Sequence, residues 1–369
     1  MAAPVPLPLL LLLLPEAAGY LLSPSRPLAH PLAPLPLAPP LTPRAALSMR
    51  LEEHAAAEAE KDAAFEQQMT EAAARARSPE TLESFRAAAA ARAEKLAADA
   101  KVAAALEKGA PLPAGKMAKL LQKPKGTIAL IGEGVRIEVL SMGGYDLDDP
   151  AYLSSQFREG GCAAVSVRVT ARDALKEDAL AQTTAEQEGV RGDFPGPLPV
   201  IVRDDFVHPI QLAAVAAAGG KMALLPFALI GAERIGEMMA EAERMGLETL
   251  VRVADETELQ AALDAGVKVI CLGDLSTTEA QSLLGKVPSD VVTVADIEAR
   301  DVRGVWKIRD MGFNAAIIGK ALLDVCVRDR VPPAAVLKAM RSKGSVKFGL
   351  GYQKGRLEGS KENLGTIAM

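Results

Sequence analysis

From Val135 onward the chain alternates short apolar runs with longer segments in which apolar residues recur every three or four positions. The strand-like runs are VRIEV (135–139), CAAVSVRV (162–169), LPVIVR (198–203), KMALLPF (221–227), ETLVRV (248–253), VKVICLG (267–273), DVVTVA (290–295) and NAAIIG (314–319). The helical period predicts helices near 150–159, 177–188, 209–218, 231–245, 255–265, 277–285, 299–311 and 320–328. Several of these end in glycine just before the next strand (Gly219-Gly220, Gly246, Gly266, Gly312), the residue that a helix C-terminus favours. Strict alternation calls for a parallel sheet, because each parallel crossover needs a helix-length connection. Eight units within about 195 residues predict an α/β fold, a (β/α)8 TIM barrel rather than an open doubly wound sheet.

Upstream, residues 46–108 are Ala-rich with Glu, Lys and Arg interspersed. Ser78 reads as an N-cap with Pro79 in the first helical position, which predicts two helices. Pro111, Pro113, Gly115 and the basic stretch Lys119–Lys125 then read as a linker. The expected organisation is a signal peptide at 1–19, a plastid transit peptide at 20–48, a helical extension and linker at 49–125, the barrel at 126–345 and a C-terminal tail at 346–369. The first two assignments rest on composition. Residues 5–14 form an apolar run too short to span a bilayer, and small residues follow at Ala17-Ala18-Gly19. From Tyr20 to Arg50 there is no Asp or Glu, while Arg26, Arg44 and Arg50 stand among Ser, Pro and Ala. This arrangement resembles the bipartite presequence that sends proteins to the plastid stroma of algae with secondary plastids; a signal peptide with a Pro-rich linker is the simpler alternative. The tail is Gly-rich and reads as an extended arm over the barrel or a neighbouring subunit.

Composition narrows the chemistry. Of the 369 residues 49% are apolar and 24% charged, enough to build a core. Without the three arginines and one glutamate of residues 1–50, the chain holds 39 basic and 46 acidic side chains, a net charge of −7. A mildly acidic chain without basic runs argues against nucleic acid, and no later segment suggests a membrane partner. Cys162, Cys271 and Cys326 lie in apolar contexts without metal-ligand spacing and read as buried thiols. His208 is the one histidine inside the predicted barrel, so neither a metal nor another cofactor is expected.

The segments LPVIVRDDFVHPIQLAAVAAAGGKMALLPFALI, ERMGLETLVRVADETELQAALDAGVKVICLGDL and RDMGFNAAIIGKALLD resemble the third to sixth and the eighth βα units of indole-3-glycerol phosphate synthase. RIEV and GYDLDDPAYLSSQFREGGCAAVSV are similar to its first two units. The resemblance covers about residues 130–330 and implies closure of an indole ring on a carboxyphenylamino-deoxyribulose phosphate, with loss of CO2 and water, in tryptophan biosynthesis. That reaction needs an acidic lysine, proton-handling carboxylates and a phosphate site at the last two loops.

Carried onto this chain, the resemblance implies Glu138 and Arg203 as catalytic positions, and Arg252, Gly319 and Lys320 as contacts to a phosphosugar-type small molecule. It also predicts substitutions. Leu140 stands at the first-strand lysine, Arg203-Asp204-Asp205-Phe206 replaces Lys-Asp-Phe, Arg252 replaces the fifth-strand glutamate, and Val294-Ala295-Asp296 replaces Glu-Ser-Gly. Three readings follow: an indole-3-glycerol phosphate synthase with rearranged groups, a non-catalytic barrel that binds or scaffolds, or another phosphosugar enzyme. In the second, the N-terminal helices or the tail would meet a protein partner. Glu138 has a structural alternative, pairing with Arg203 or Arg252 inside the barrel mouth.

Overall fold

The computed structural model describes residues 43–109, 115–123, 126–136, 141–142, 145–170 and 172–342. Most of the proposed presequence, the tail at 346–369, Glu138 and Leu140 lie outside these residues. The chain divides at Ala56/Ala57 into a small N-terminal unit and a large one. Of the small unit the described part is the start of α1 (Pro43–Ala76), which begins inside the segment expected to be a transit peptide.

The large unit is a closed eight-stranded parallel barrel. Its strands are β1 (Ala129–Glu133), β2 (Ala164–Arg168), β3 (Val200–Arg203), β4 (Met222–Pro226), β5 (Glu248–Val253), β6 (Val269–Gly273), β7 (Val292–Asp296) and β8 (Ala315–Ile318). Each strand pairs with its sequence neighbours, and β1 closes the ring against β8, Ala129 opposite Ala315 and Ile131 opposite Ile317. The helices around and before it are α2 (Pro79–Leu96), α3 (Ala100–Lys108), α4 (Lys116–Leu121), α5 (Pro150–Glu159), α6 (Ala179–Gly189), α7 (Pro209–Ala217), α8 (Phe227–Ile230), α9 (Ala232–Arg244), α10 (Glu256–Asp264), α11 (Thr277–Leu284), α12 (Val302–Met311), α13 (Lys320–Asp329) and α14 (Pro333–Arg341). A two-residue antiparallel pair, Ser141–Met142 with Tyr145–Asp146, lies between β1 and α5. The predicted TIM barrel preceded by a helical extension is the fold of the chain.

The first strand differs from expectation: β1 is Ala129–Glu133, not 135–139. A barrel strand is covered on both faces, by the interior and by the helices, so it must be apolar on both. In VRIEV, Arg136 and Glu138 share one face, and as a barrel strand it would bury two charges. In ALIGE every residue is buried, with Ala129 and Ile131 in the interior cluster and Leu130 in the cluster beneath the helices. Gly132 belongs to the outer face because α5 comes so close there: a Cβ would sit 2.4 Å from Cγ of Phe157, itself fully buried.

The extension also departs from expectation. Ser78 caps α2 as predicted, its hydroxyl accepting from the Thr81 amide at 3.3 Å. The second predicted helix, however, breaks at Ala97–Asp99, where Asp99 accepts from the Lys101 amide at 2.8 Å and starts α3. The expected linker contains α4, whose Met117 and Leu121 join the side chains filling the barrel interior. Trp306 is buried on α12, and its indole N–H donates to the Met340 carbonyl of α14, a helix the sequence pattern did not predict.

Candidate functional site at the barrel mouth

Catalytic groups of a TIM barrel sit at the C-terminal ends of its strands, because the βα loops converge there. With a side-chain period of two, the inward series Ala129-Ile131, Ala164-Ser166, Ile201 and Val292-Val294 ends on Glu133, Arg168, Arg203 and Asp296. The top layer of this barrel is therefore ionic instead of aliphatic.

Arg203 is its centre. Its guanidinium donates to both Asp296 oxygens, at 2.9 and 2.6 Å, and to the Glu133 oxygens at 3.1 and 3.3 Å, with its side chain 8% exposed. Glu133 also accepts from Ser166 Oγ at 2.7 Å and from Arg168 Nε at 2.9 Å. Arg252 reaches Asp274 at 3.2 Å and Asp296 at 3.7 Å. Gly273 makes room for this crossing, since a Cβ there would meet Arg252 Cδ at 2.9 Å and Asp296 Cβ at 3.1 Å. The next residue, Asp274, has φ 54°, a left-handed conformation that an Asp side chain tolerates better than most. Three arginines and three carboxylates thus neutralise one another across the mouth.

The charges are fixed by this pairing. Burial works against the Arg203 charge, but Asp296 and Glu133 outweigh it and raise its pKa. Burial likewise opposes ionisation of Glu133, yet Arg168 and Arg203 hold that carboxyl below its ordinary value. Asp296 is partly buried, and Arg203, Arg252 and Arg168 hold it at about 2. Asp204 and Glu258 go the other way: burial dominates and raises both.

Above this layer lies a cavity of about 220 Å3, walled by Arg168, Arg172, Arg203 and Arg252, by Asp204, Asp205, Asp274 and Glu258, and by Phe85 and Leu82 of α2. Helix α2 is fastened over it through arginines. Arg86 donates to the Ala228 and Leu229 carbonyls at 2.6 and 3.2 Å, and Arg92 donates to the Val169 carbonyl and pairs with Asp204; Arg77, in the turn before α2, donates to the Ala254 carbonyl at 3.0 Å. Arg172 grips Asp205 and stacks over Phe85, 3.6 Å from the ring centroid.

Of the residues singled out from the sequence, Arg203 and Arg252 meet in this layer. Gly319 lies beside it at the end of β8, where a Cβ would sit 3.0 Å from Val135 Cγ1 and 3.3 Å from the Glu133 carbonyl oxygen. Lys320 is exposed and paired with Asp324 one turn on. Glu138 lies outside the described residues, and the carboxylates that engage Arg203 are Glu133 and Asp296. His208 caps α7, its Nδ1 accepting from the Ile210 amide at 3.1 Å. All three cysteines are buried free thiols; burial pushes Cys162 and Cys326 up to about 12 and Cys271 well above the usual thiol range.

The pattern for indole-3-glycerol phosphate synthase matches residues 81–329, from the first turn of α2 to the end of α13. The chain belongs to the indole-3-glycerol phosphate synthase family. The Streptomyces griseus indole-3-glycerol phosphate synthase is 30% identical over 237 residues, which cover 60% of this chain and 83% of that protein. Indole-3-glycerol phosphate synthase 1 of Streptomyces coelicolor is 30% identical over 235 residues, with the same coverage of 60% and 83%. The Deinococcus radiodurans indole-3-glycerol phosphate synthase is 35% identical over 189 residues, 51% of this chain and 65% of that protein. Among the described residues, no helix is long and apolar enough to cross a membrane.

Relative to the family pattern, α1 precedes the matched region and α14 follows it. Sequence reasoning missed Glu133, Arg168 and the arginines of α2. The signal for Arg168 was present, because Ala164, Ser166 and Arg168 are the inward positions of an alternating run. For Glu133 the signal was the short apolar run TIALI just before Gly-Glu-Gly.

Proposed function

We propose that this member of the indole-3-glycerol phosphate synthase family keeps the barrel for binding and does not close the indole ring. One observation carries the reading: Arg203 is bonded to Asp296 and Glu133 across the mouth, so the groups that would meet a substrate are spent on each other. The chemistry agrees. Ring closure needs an acid near neutrality, whereas the cations here are arginines, which do not give up protons at working pH. Among the described residues, none of those lining the cavity is a lysine. Its volume, about 220 Å3, falls below the range of roughly 300–1,000 Å3 of ordinary ligand pockets.

The test is direct. The full chain, incubated with the carboxyphenylamino-deoxyribulose phosphate and followed by indole fluorescence, is expected to show no turnover above the protein-free rate. Turnover of about 0.1 per second or faster, within roughly a hundredfold of a median enzyme, overturns the reading.

The proposal includes an address. The acid-free, Arg- and Pro-containing stretch from Tyr20 to Arg50, behind an apolar run at 5–14, supports delivery to a plastid stroma. Residues 1–50 fused to a fluorescent protein are expected to direct it into the plastid of an alga with secondary plastids; secreted or cytosolic fluorescence overturns the assignment.

A further inference from the structure

The part of α1 within the large unit, residues 57–76, is held on the barrel largely by charge. Within residues 57–76, which belong to the large unit, Ala73 is the one buried side chain, and Phe65 and Met69 are half-buried. Phe65, Met69 and Ala73 form a short apolar seam at four-residue spacing, and most of the rest of this stretch is polar or exposed, so apolar contact fixes only part of its length. Its polar contacts to the barrel run along a stripe of carboxylates at four-residue spacing. Glu58 Oε2 accepts from Arg303 at 2.6 Å and from Arg300 at 2.8 Å. Asp62 lies 3.1 Å from Arg300 and 2.8 Å from Lys307. Glu66 accepts from the Thr278 amide, at the start of α11, at 3.2 Å.

The far end of α1 bears on the site. Ala76 and Arg77 form part of the cavity wall, and the helix stops at the extended residue Ser78, where α2 begins. Helix α2 is pinned independently through Arg86 and Arg92. Chain geometry therefore separates α2, a pinned cover, from residues 57–76 of α1, whose last residue Ala76 reaches the cavity wall, with a break between them.

We propose that residues 57–76 of α1 are an electrostatically latched lid: Glu58 and Asp62, seated on Arg300, Arg303 and Lys307, hold them against the barrel, and release of this latch swings them away about Arg77, which stays held by the Ala254 carbonyl, and withdraws Ala76 from the cavity wall. Partly exposed ion pairs are individually weak and are screened by salt, with a Debye length of roughly 10 Å at 0.1 M and 3 Å at 1 M. Such a latch opens with ionic strength or with any charged partner that competes for the three cations. The device is independent of whether the mouth below it catalyses.

Hydrogen exchange of the full chain, read by mass spectrometry at low salt and in 1 M KCl, tests this. Amides of residues 57–76 are expected to exchange about tenfold faster in 1 M KCl, a change of about 1.4 kcal/mol in opening free energy, with β1–β8 unchanged. Glu58→Gln/Asp62→Asn should exchange fast already at low salt. The fully reversed set Glu58→Arg/Asp62→Lys/Arg300→Glu/Arg303→Glu/Lys307→Glu should restore slow exchange there. Equal protection of 57–76 in high salt, or in the Gln/Asn variant, overturns the latch. Loss of barrel protection together with that of α1 also overturns it, because α1 would then not move separately.

Discussion

Replacing Arg203 by methionine is expected to cost about 3–5 kcal/mol of unfolding free energy at pH 7, measured by urea denaturation. The substitution keeps an apolar stem of similar length and removes the guanidinium that is hydrogen-bonded to both Glu133 and Asp296. Two carboxylates would then face each other in a buried layer, with Arg168 and Arg252 as partial compensation at its edges. The size of the loss comes from the stranded charges more than from the lost bonds. Accordingly, the triple change Glu133→Met/Arg203→Met/Asp296→Leu should recover most of the stability, since apolar side chains in place of a whole buried ionic group are often neutral or better.

The pH dependence separates this cause from lost packing. In the native protein Asp296 is held at about 2 and Glu133 below its usual value, whereas unfolded carboxylates titrate near about 4. Depressed carboxyl pKa values contribute stability that is complete above the unfolded value and is lost as pH falls from about 4 toward 2. Without Arg203 both carboxyls rise and take up protons in the folded state. The deficit of Arg203→Met should therefore be largest at neutral pH and shrink on acidification. Asp204 and Glu258, raised by burial, are common to both proteins and largely cancel in the difference. A deficit below about 1 kcal/mol, or one that does not change with pH, would show that the ionic layer does not work as described.

The legible part of the fold was the part in which local pattern and global position agree. Strands β2 to β8 are continuous or alternating apolar runs ending near a turn glycine or a charge, and the spacing between them leaves room for one helix each. The sequence misplaced β1 because VRIEV has the alternation of a half-buried strand, while the true strand contains Ala and Gly and looks weak by propensity. Only the double-sided burial of a barrel strand decides between them. That error moved the candidate carboxylate from Glu133 to Glu138. Arg203 and Arg252 were legible as strand-end cations, but their partners were not, because ion pairs between β1, β3, β5 and β7 join positions up to 93 residues apart in the chain. The arginines of α2 were hidden for a similar reason: Arg86 and Arg92 bond to backbone carbonyls, which carry no residue signature.

The same reasoning turns the expected linker into a structural element with a large effect. Leu121 is fully buried and, with Met117, closes the lower end of the barrel interior alongside Ala129, Ile201, Met222 and Leu250. Helix α4 is held in place by the Met117 amide, which donates to Glu248 Oε1 of β5 at 2.9 Å. Leu121→Ala is expected to destabilise by about 3–5 kcal/mol, the transfer term of the lost methyl groups plus the cavity left in a ring of strands that cannot collapse inward. Lys119→Ala, at an exposed position of the same helix, should stay within about 0.5 kcal/mol. Thermal and urea unfolding of the two variants check this, and a Leu121→Ala loss under about 1 kcal/mol would mean that α4 does not fill the floor. The expected size follows from geometry. The mouth of this barrel is occupied by mutually compensating charges, whose net contribution to stability is small, so the apolar layers beneath, down to Leu121, must supply the burial that keeps eight strands in register.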